Sequence, residues 1–403
     1  MTKSTFPKVA VLSIWACWLF LVLPRMVVPQ LLPLIERDLN LSHGDAALLM
    51  SVYMFPYALM QLPAGSLSDR FGKKYFIVLS VFGTCLATIF MAFAKTFDSL
   101  LIFRMVSGLM GGMFYAPSTA YVVQSASGRD VGMALGLVFT GGSFANIMIS
   151  LLINSLRVEE YGWRNFLLLC AVPGAVFTPL LLFLLRGEKV GLTASRESLD
   201  SKVFLQGLKN PQFVLLLIYS FVSSLSGWSL MTFLPTFFVL ERGFTVAEAS
   251  RIMMVYYITT AFAGFLSGIS TRTLGFRVPG LISTTTLCIV SYTIPLSHSW
   301  VTTVLVLVFW GLLGGLAWSA YNALLTELTP KGFQGTFLGL FNLMTFLGGT
   351  VGPAVFGKVA DTAGFDTFFR LSFFLYTVPL GIAIIIFLFP RFSSGLKAKG
   401  LTG

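Results

Sequence analysis

Four stretches of this chain, Val9 to Ile35, Phe76 to Ala94, Phe166 to Leu185 and Leu371 to Pro390, contain no acidic residue and, apart from Arg25, no basic one. A helix crossing the ~30 Å hydrocarbon core of a bilayer needs about 20 such residues, so each stretch is long enough to span a membrane. Charge excludes water as the main solvent. Only 11% of the 403 residues are Asp, Glu, Lys or Arg, against roughly 25% in soluble domains. Counting spans between charged or turn-rich breaks predicts twelve helices, near 9–35, 46–67, 75–94, 99–124, 131–156, 165–186, 212–240, 247–270, 279–297, 301–326, 334–359 and 368–390. A transmembrane barrel would instead alternate strictly over short segments, and no such alternation is present.

Basic residues orient the bundle, because loops rich in Lys and Arg stay in the cytoplasm. With both termini placed inside, the cytoplasmic segments hold seventeen of the 27 basic residues and six of the 16 acids. The external segments hold eight basic residues and ten acids, and Arg25 and Arg104 fall within helices. The formal charge of +11 is therefore a topology signal. A nucleic-acid binder would concentrate its charge on one soluble module, so no nucleic-acid partner is expected. Cys17, Cys85, Cys170 and Cys288 are scattered through apolar spans and read as packing residues, with no disulfide or metal site expected. The first span is too long for a signal-peptide core and lacks a small-residue cleavage site, so it is expected to stay as the first helix.

The chain also repeats itself. Gly65 and Gly72 return as Gly268 and Gly275, the run GLMGG at Gly108 as GLLGG at Gly311, and GMALGL at Gly132 as GTFLGL at Gly335, all 203 positions later. Met50 and Tyr53 pair with Met253 and Tyr256 at the same offset. The reading is an all-α membrane protein of two six-helix halves, 1–186 and 211–403, joined by a polar cytoplasmic linker at 187–210. Parallel halves about a pseudo-twofold axis along the membrane normal suit a site between them near the midplane.

The segment Gly65-Ser-Leu-Ser-Asp69-Arg70-Phe-Gly72-Lys73-Lys74 resembles the signature loop between helices 2 and 3 of the major facilitator superfamily. Arg104-Met-Val-Ser-Gly108 resembles that family's helix-4 motif, and the likeness covers essentially the whole chain. It implies the major facilitator fold, a monomeric secondary transporter in the cell membrane, and a gating role for Gly65, Asp69, Arg70, Gly72, Lys73 and Arg104. In such a loop Gly65 would permit close helix approach and Gly72 a tight turn. Asp69 would pair with a basic neighbour or face the positive end of helix 11, latching the halves on the cytoplasmic side. The bland alternative is that Lys73 and Lys74 only anchor the topology. Helix 5 carries Gly141-Gly142 but lacks the Gly-Pro pair of the family's antiporters, which speaks against drug–proton antiport.

Arg25 is the most informative single residue. It lies sixteen residues into the first span, roughly 24 Å along it at about 1.5 Å per residue. Arginine stays protonated, and at a helix centre it costs roughly 2.5–3.5 kcal/mol on translocon scales. All 16 acids sit in loops or near helix ends, so no internal salt-bridge partner is visible. Two readings follow: a substrate anion completes Arg25, or the guanidinium bonds to carbonyls freed by Pro24 and Pro29. Anion-carrying branches of the superfamily look similar in placing an Arg on helix 1. At the 203 offset Trp228 stands where a second Arg would be, which favours a mono- or dicarboxylate over a phosphate ester. Arg104 follows Asp98 by only six residues, close enough to the outer interface to snorkel.

Polar faces of spanning helices turn inward. Tyr115, Asn146, Trp228, Tyr257, Tyr321, Asn322 and Asn342 are therefore candidate substrate contacts beside Arg25, each with an interhelical hydrogen bond as its structural alternative. The expected function is alternating-access transport of a small organic anion, with membrane lipid and a coupling ion, proton or sodium, as further partners. The rival is an exporter of drugs or apolar metabolites; a transporter-like sensor is a third reading, which would show no net flux. No GxxxxGK[ST] loop is present, so ATP is not expected to drive the cycle, and no cofactor is implied. His43 and His298 lie near span ends, and neither suggests an enzyme.

Overall fold

The computed structural model describes residues 8–61, 63–126, 130–185, 209–329 and 334–388. Among the described residues helices are the only regular structure, and twelve spanning helices in two halves account for most of them. The first half holds α1 (Lys8–Leu39), α2 (His43–Met60, continued by Pro63–Phe71), α3 (Lys73–Ala92), α4 (Phe97–Gly112 and Tyr115–Ser125), α5 (Asp130–Ser155) and α6 (Trp163–Leu184). The second half holds α7 (Pro211–Leu240), α8 (Val246–Leu274), α9 (Arg277–Thr293) and α10 (Trp300–Phe309 and Ala317–Leu328). Its last helical run, Gln334–Leu388, departs from helical geometry at Gly364, which divides α11 from α12.

The predicted spans hold, with local differences in shape. The second span is bent by 57° between His43–Met60 and Pro63–Phe71, and α8 bends by 43° between Val246–Gly264 and Leu266–Leu274. The tenth is interrupted by a π-helical turn at Trp310–Gly314, inside the repeated glycine run. The linker expected at 187–210 falls outside the described residues up to Gly207 and Leu208. Asn210 caps α7 by accepting from the backbone N–H of Gln212.

The repeat reappears in how the chain turns. On the face where α1 gives way to α2, here called distal, the returning helices begin on hydroxyl caps. Ser42 accepts from Asp45, Thr96 forms a capping box with Ser99, Thr245 one with Glu248, and Ser299 one with Thr302. Ser42 and Thr96 precede Thr245 and Ser299 by 203, so the offset carries local geometry as well as composition. Such caps contribute about 1 kcal/mol each. On the opposite, proximal face, Gly72 (φ 97°) and Gly275 (φ 69°) turn the chain into α3 and α9, a conformation that glycine adopts without steric cost.

Packing repeats too. A Cβ on Gly108 would run into the backbone carbonyl of Tyr53, and one on Gly311 would run into the Thr259 side chain and lie 3.0 Å from the Tyr256 carbonyl. Helix α4 therefore lies on α2 as α10 lies on α8. Gly65 differs: a Cβ there would meet Ala116 at an ordinary 3.7 Å. The expected close approach at Gly65 is thus not required in this conformation, because the bent second span leaves room beside α4.

The halves meet on the distal face. The backbone N–H groups of His43 and Gly44 each donate to Asp361 at 2.7 Å. Ser250 of α8 donates to Gln30 of α1 at 3.3 Å. A Cβ on Gly357 would come within 2.7 Å of the His43 carbonyl oxygen, so α2 and α11 approach almost backbone to backbone.

Candidate functional site

Helix α1 contains Pro24, Pro29 and Pro33. A proline has no N–H, so the carbonyl four residues earlier loses its helical donor. Two such carbonyls have found other partners. The Phe20 carbonyl, four before Pro24, accepts from the Cys85 thiol with S···O at 3.6 Å. The Arg25 carbonyl, four before Pro29, accepts from Arg104 Nη2 at 2.9 Å. Arg104 also donates through Nη1 to the Pro24 carbonyl at 3.2 Å and through Nε to the Leu49 carbonyl at 3.0 Å. It is fully buried. The expectation that Arg104 snorkels to the outer interface is therefore corrected: its side chain points into the α1–α2 seam, where Pro29 leaves the Arg25 carbonyl without its helical donor.

The Arg25 guanidinium is free for something else. It does not take the carbonyls that Pro24 and Pro29 release. Its central carbon lies 4.8 Å from the Tyr57 ring centroid, 4.9 Å from Trp228, and 5.7 Å from both Tyr53 and Phe346. Nη2 approaches the Met54 sulfur at 3.9 Å, and Nε is buried without a partner. The residue is 7% exposed, and among the described residues no carboxylate pairs with it. Tyr53 and Met54 lie four and three residues before Tyr57 on α2, spacings that bring each beside Tyr57 on the helix surface. Trp228 comes from α7 and Phe346 from α11, so both halves contribute. The repeat-equivalent positions Arg25 and Trp228 thus face each other across the pseudo-twofold axis.

Other predicted contacts are distributed. Tyr115 stacks on Phe139 with centroids 5.9 Å apart and lies 6.2 Å from Trp18. Asn146 donates to the Gly142 carbonyl at 3.0 Å while its Oδ1 is buried without a partner. Tyr257 and Asn342 are buried, Tyr257 with its ring 5.5 Å from that of Tyr256, and Asn322 sits on the Ala317–Leu328 segment of α10. Tyr321 is occupied within its own half: its hydroxyl bonds Thr284 at 2.6 Å, and its ring stacks 4.0 Å from Tyr219. In the signature loop Asp69 pairs with Lys73 at 2.9 Å, and Arg70 lies over Phe71 at 5.4 Å. The expected approach of Asp69 to the start of α11 falls on residues 330–336, whose side chains lie outside the description.

Sequence reasoning missed several partners. Tyr57 and Phe346 needed the packing of α2 on α11 to bring them to Arg25. Gln30 accepts from Ser150 at 3.1 Å as well as from Ser250, while its Nε2 is buried without a partner. Glu36 is 6% exposed and meets His43 Nδ1 at 3.2 Å, with its other oxygen unpartnered. His43 therefore does pair with an acid, across the α1–α2 turn. The signal for Arg104 was present: Pro29 inside an apolar helix demands an outside donor for the Arg25 carbonyl.

Comparison with known proteins agrees with this architecture. The family model of the Major Facilitator Superfamily matches residues 14–353 and 216–400. The multidrug resistance protein MdtG of Citrobacter koseri is 26% identical over 86% of this chain and 87% of its own. The probable galactarate/D-glucarate transporter GudP of Bacillus subtilis is 23% identical over 82% and 80%. In fold, a bacterial homologue of the human lysosomal transporter Spinster, solved inward-facing and unoccupied, superposes with TM-score 0.78 at 17% identity, covering all of both chains. A D-xylose–proton symporter gives TM-score 0.80 at 14% identity over 96% of this chain and 98% of that one. With a family match over most of its length and the twelve-helix fold of its structural neighbours, this chain belongs to the Major Facilitator Superfamily and is a membrane transporter, not an enzyme.

Proposed function

We propose that this transporter carries a small organic anion, a mono- or dicarboxylate, held by Arg25 between the two halves and passed across by alternating access. The observation that carries this reading is a guanidinium that is 7% exposed, with Nε unpartnered. Desolvated cation–π contacts offset about 2 kcal/mol or more, yet they leave the N–H groups without acceptors. A carboxylate supplies acceptors to two of them at once, in the bidentate geometry that suits guanidinium. The rings of Tyr57, Trp228 and Phe346 would flank the rest of the substrate. The relative GudP, named for galactarate and D-glucarate, supports an anionic cargo. The positive-inside distribution supports a cytoplasmic proximal face and an external distal face.

One observation favours a second reading. Aromatic rings surround the cation on several sides, a lining that also suits apolar cargo, and MdtG is a multidrug resistance protein. A thermal-shift screen of the purified protein against monocarboxylates, galactarate, D-glucarate, phosphate esters and cationic drugs separates the two. A ligand at about 100 times its dissociation constant stabilises by about 2.7 kcal/mol. Carboxylate shifts that vanish in Arg25→Ala would support the anion reading; shifts with cationic or neutral drugs alone would replace it with the exporter. Uptake into liposomes under an imposed proton or sodium gradient then identifies the coupling ion.

A further inference from the structure

The contact between Asp361 and the start of α2 has a counterpart in the other half. Glu159, in the turn between α5 and α6, accepts from the backbone N–H of Val246 at 3.4 Å, at the start of α8. His43 and Val246 are 203 positions apart, and each directly follows a hydroxyl cap, Ser42 and Thr245, with the same spacing. The two acids are 202 apart, and each stands three residues before a glycine of positive φ, Gly162 (82°) and Gly364 (75°), also 202 apart. The repeat therefore shortens by one residue after Gly136 and Gly339, and in the new register Glu159 and Asp361 are equivalents. Both carboxylates cross the boundary between halves, each onto the exposed N–H groups that begin a helix of the other half.

We propose that Asp361 and Glu159 are a pseudo-symmetric pair of clasps that hold the distal face closed. The proposal rests on the transport reading only in requiring that the face opens during the cycle. The first N–H groups of a helix have no intrahelical acceptor and carry partial positive charge, so a carboxylate bound there adds attraction without burying a cation. Rotation of one half away from the other separates both contacts together. The two clasps are unequal. Asp361 engages two N–H groups with both oxygens at 2.7 Å, whereas Glu159 makes one contact at 3.4 Å. The fit at the first is close: a Cβ on Gly44 would lie 2.9 Å from Asp361 Oδ2.

Lys95 and His298, 203 apart and both exposed in distal loops, offer a ruler that is independent of substrate and of membrane orientation. Spin labels on Lys95→Cys and His298→Cys, measured by pulsed dipolar spectroscopy, report the opening of this face; the four native cysteines are buried. In this background Asp361→Asn is expected to raise the ratio of open to closed populations about ten-fold, Glu159→Gln less, and the double variant most. Gly44→Ala, which displaces the carboxylate without removing it, is expected to act in the same direction and serves if Asp361→Asn does not fold. Distance distributions identical to the parent in folded Asp361→Asn and Gly44→Ala, even with lowered thermal stability, would overturn the clasp and leave only a helix cap. Failure of the anion reading would appear in the ligand screen and leave these distances untouched.

Discussion

Arg104 donates a hydrogen bond to the backbone carbonyl of Arg25, at 2.9 Å, and in doing so repairs the bond that Pro29 removes from α1. One arginine thus positions the other. Arg104 holds the proline-broken helix against α2, which leaves the Arg25 side chain directed at Tyr57 and Trp228 rather than at its own backbone.

Replacing Arg104 should therefore cost stability before it costs chemistry. Hydrogen bonds to a charged group contribute about 1.5–3 kcal/mol each, and three converge here. Arg104→Met is expected to destabilise by at least 3 kcal/mol on that scale, with Arg104→Lys intermediate because one ammonium cannot span three carbonyls. Thermal unfolding in detergent reads the order. A lysine variant as stable as the parent would mean that the carbonyls have other donors.

Arg25 should behave in the opposite way. Its ring contacts are worth a few kcal/mol at most, so Arg25→Ala is expected to stay folded and to lose carboxylate binding. Arg25→Lys keeps the charge but loses the planar fork and the stacking surface. Calorimetry should find its affinity reduced at least ten-fold, with the unfolding temperature close to the parent's. Equal binding by lysine would reduce the site to a point charge.

The fold was legible because membrane burial is written in long stretches and the repeat in exact spacing. The repeated glycines Gly108 and Gly311 do turn out to be packing positions, set against α2 at Tyr53 and against α8 at Thr259 and Tyr256. The site was half legible. Arg25 stood out by its cost, and the 203 offset placed Trp228 opposite it. Tyr57 and Phe346 look like ordinary apolar bulk until α2 and α11 are packed together. Arg104 was misplaced because its distance from Asp98 measures depth along one helix, while its environment is set by prolines on another. Asp361 was lost because the offset changes by one between Gly136 and Glu159, so aligning at 203 pairs it with Val158 instead of Glu159.

The glycines themselves give a graded prediction. At Gly108 an added methyl meets the Tyr53 backbone, which cannot move aside, and at Gly311 it meets the Thr259 side chain first and the Tyr256 carbonyl at 3.0 Å; overpacking typically costs about 1–3 kcal/mol or more. Gly108→Ala and Gly311→Ala should each lower the unfolding temperature by several degrees, while Gly65→Ala, facing only Ala116 at 3.7 Å, should not. A drop at Gly65 as large as at Gly108 would show that the α2 bend is tighter than its contacts indicate.

Asp69 separates binding from turnover. Its carboxylate is 47% exposed and pairs with Lys73 at 2.9 Å in the same half, an arrangement worth no more than about 1 kcal/mol. Asp69→Asn should therefore leave stability nearly unchanged. If Asp69 also latches the proximal face when that side is shut, neutralising it penalises one conformation and not the other. Substrate affinity measured at equilibrium should then change less than three-fold, while the initial rate of counterflow in liposomes falls ten-fold or more. Loss of both in equal proportion would assign Asp69 to the shape of the binding site, and loss of neither would leave the loop as a topology anchor held by Lys73 and Lys74.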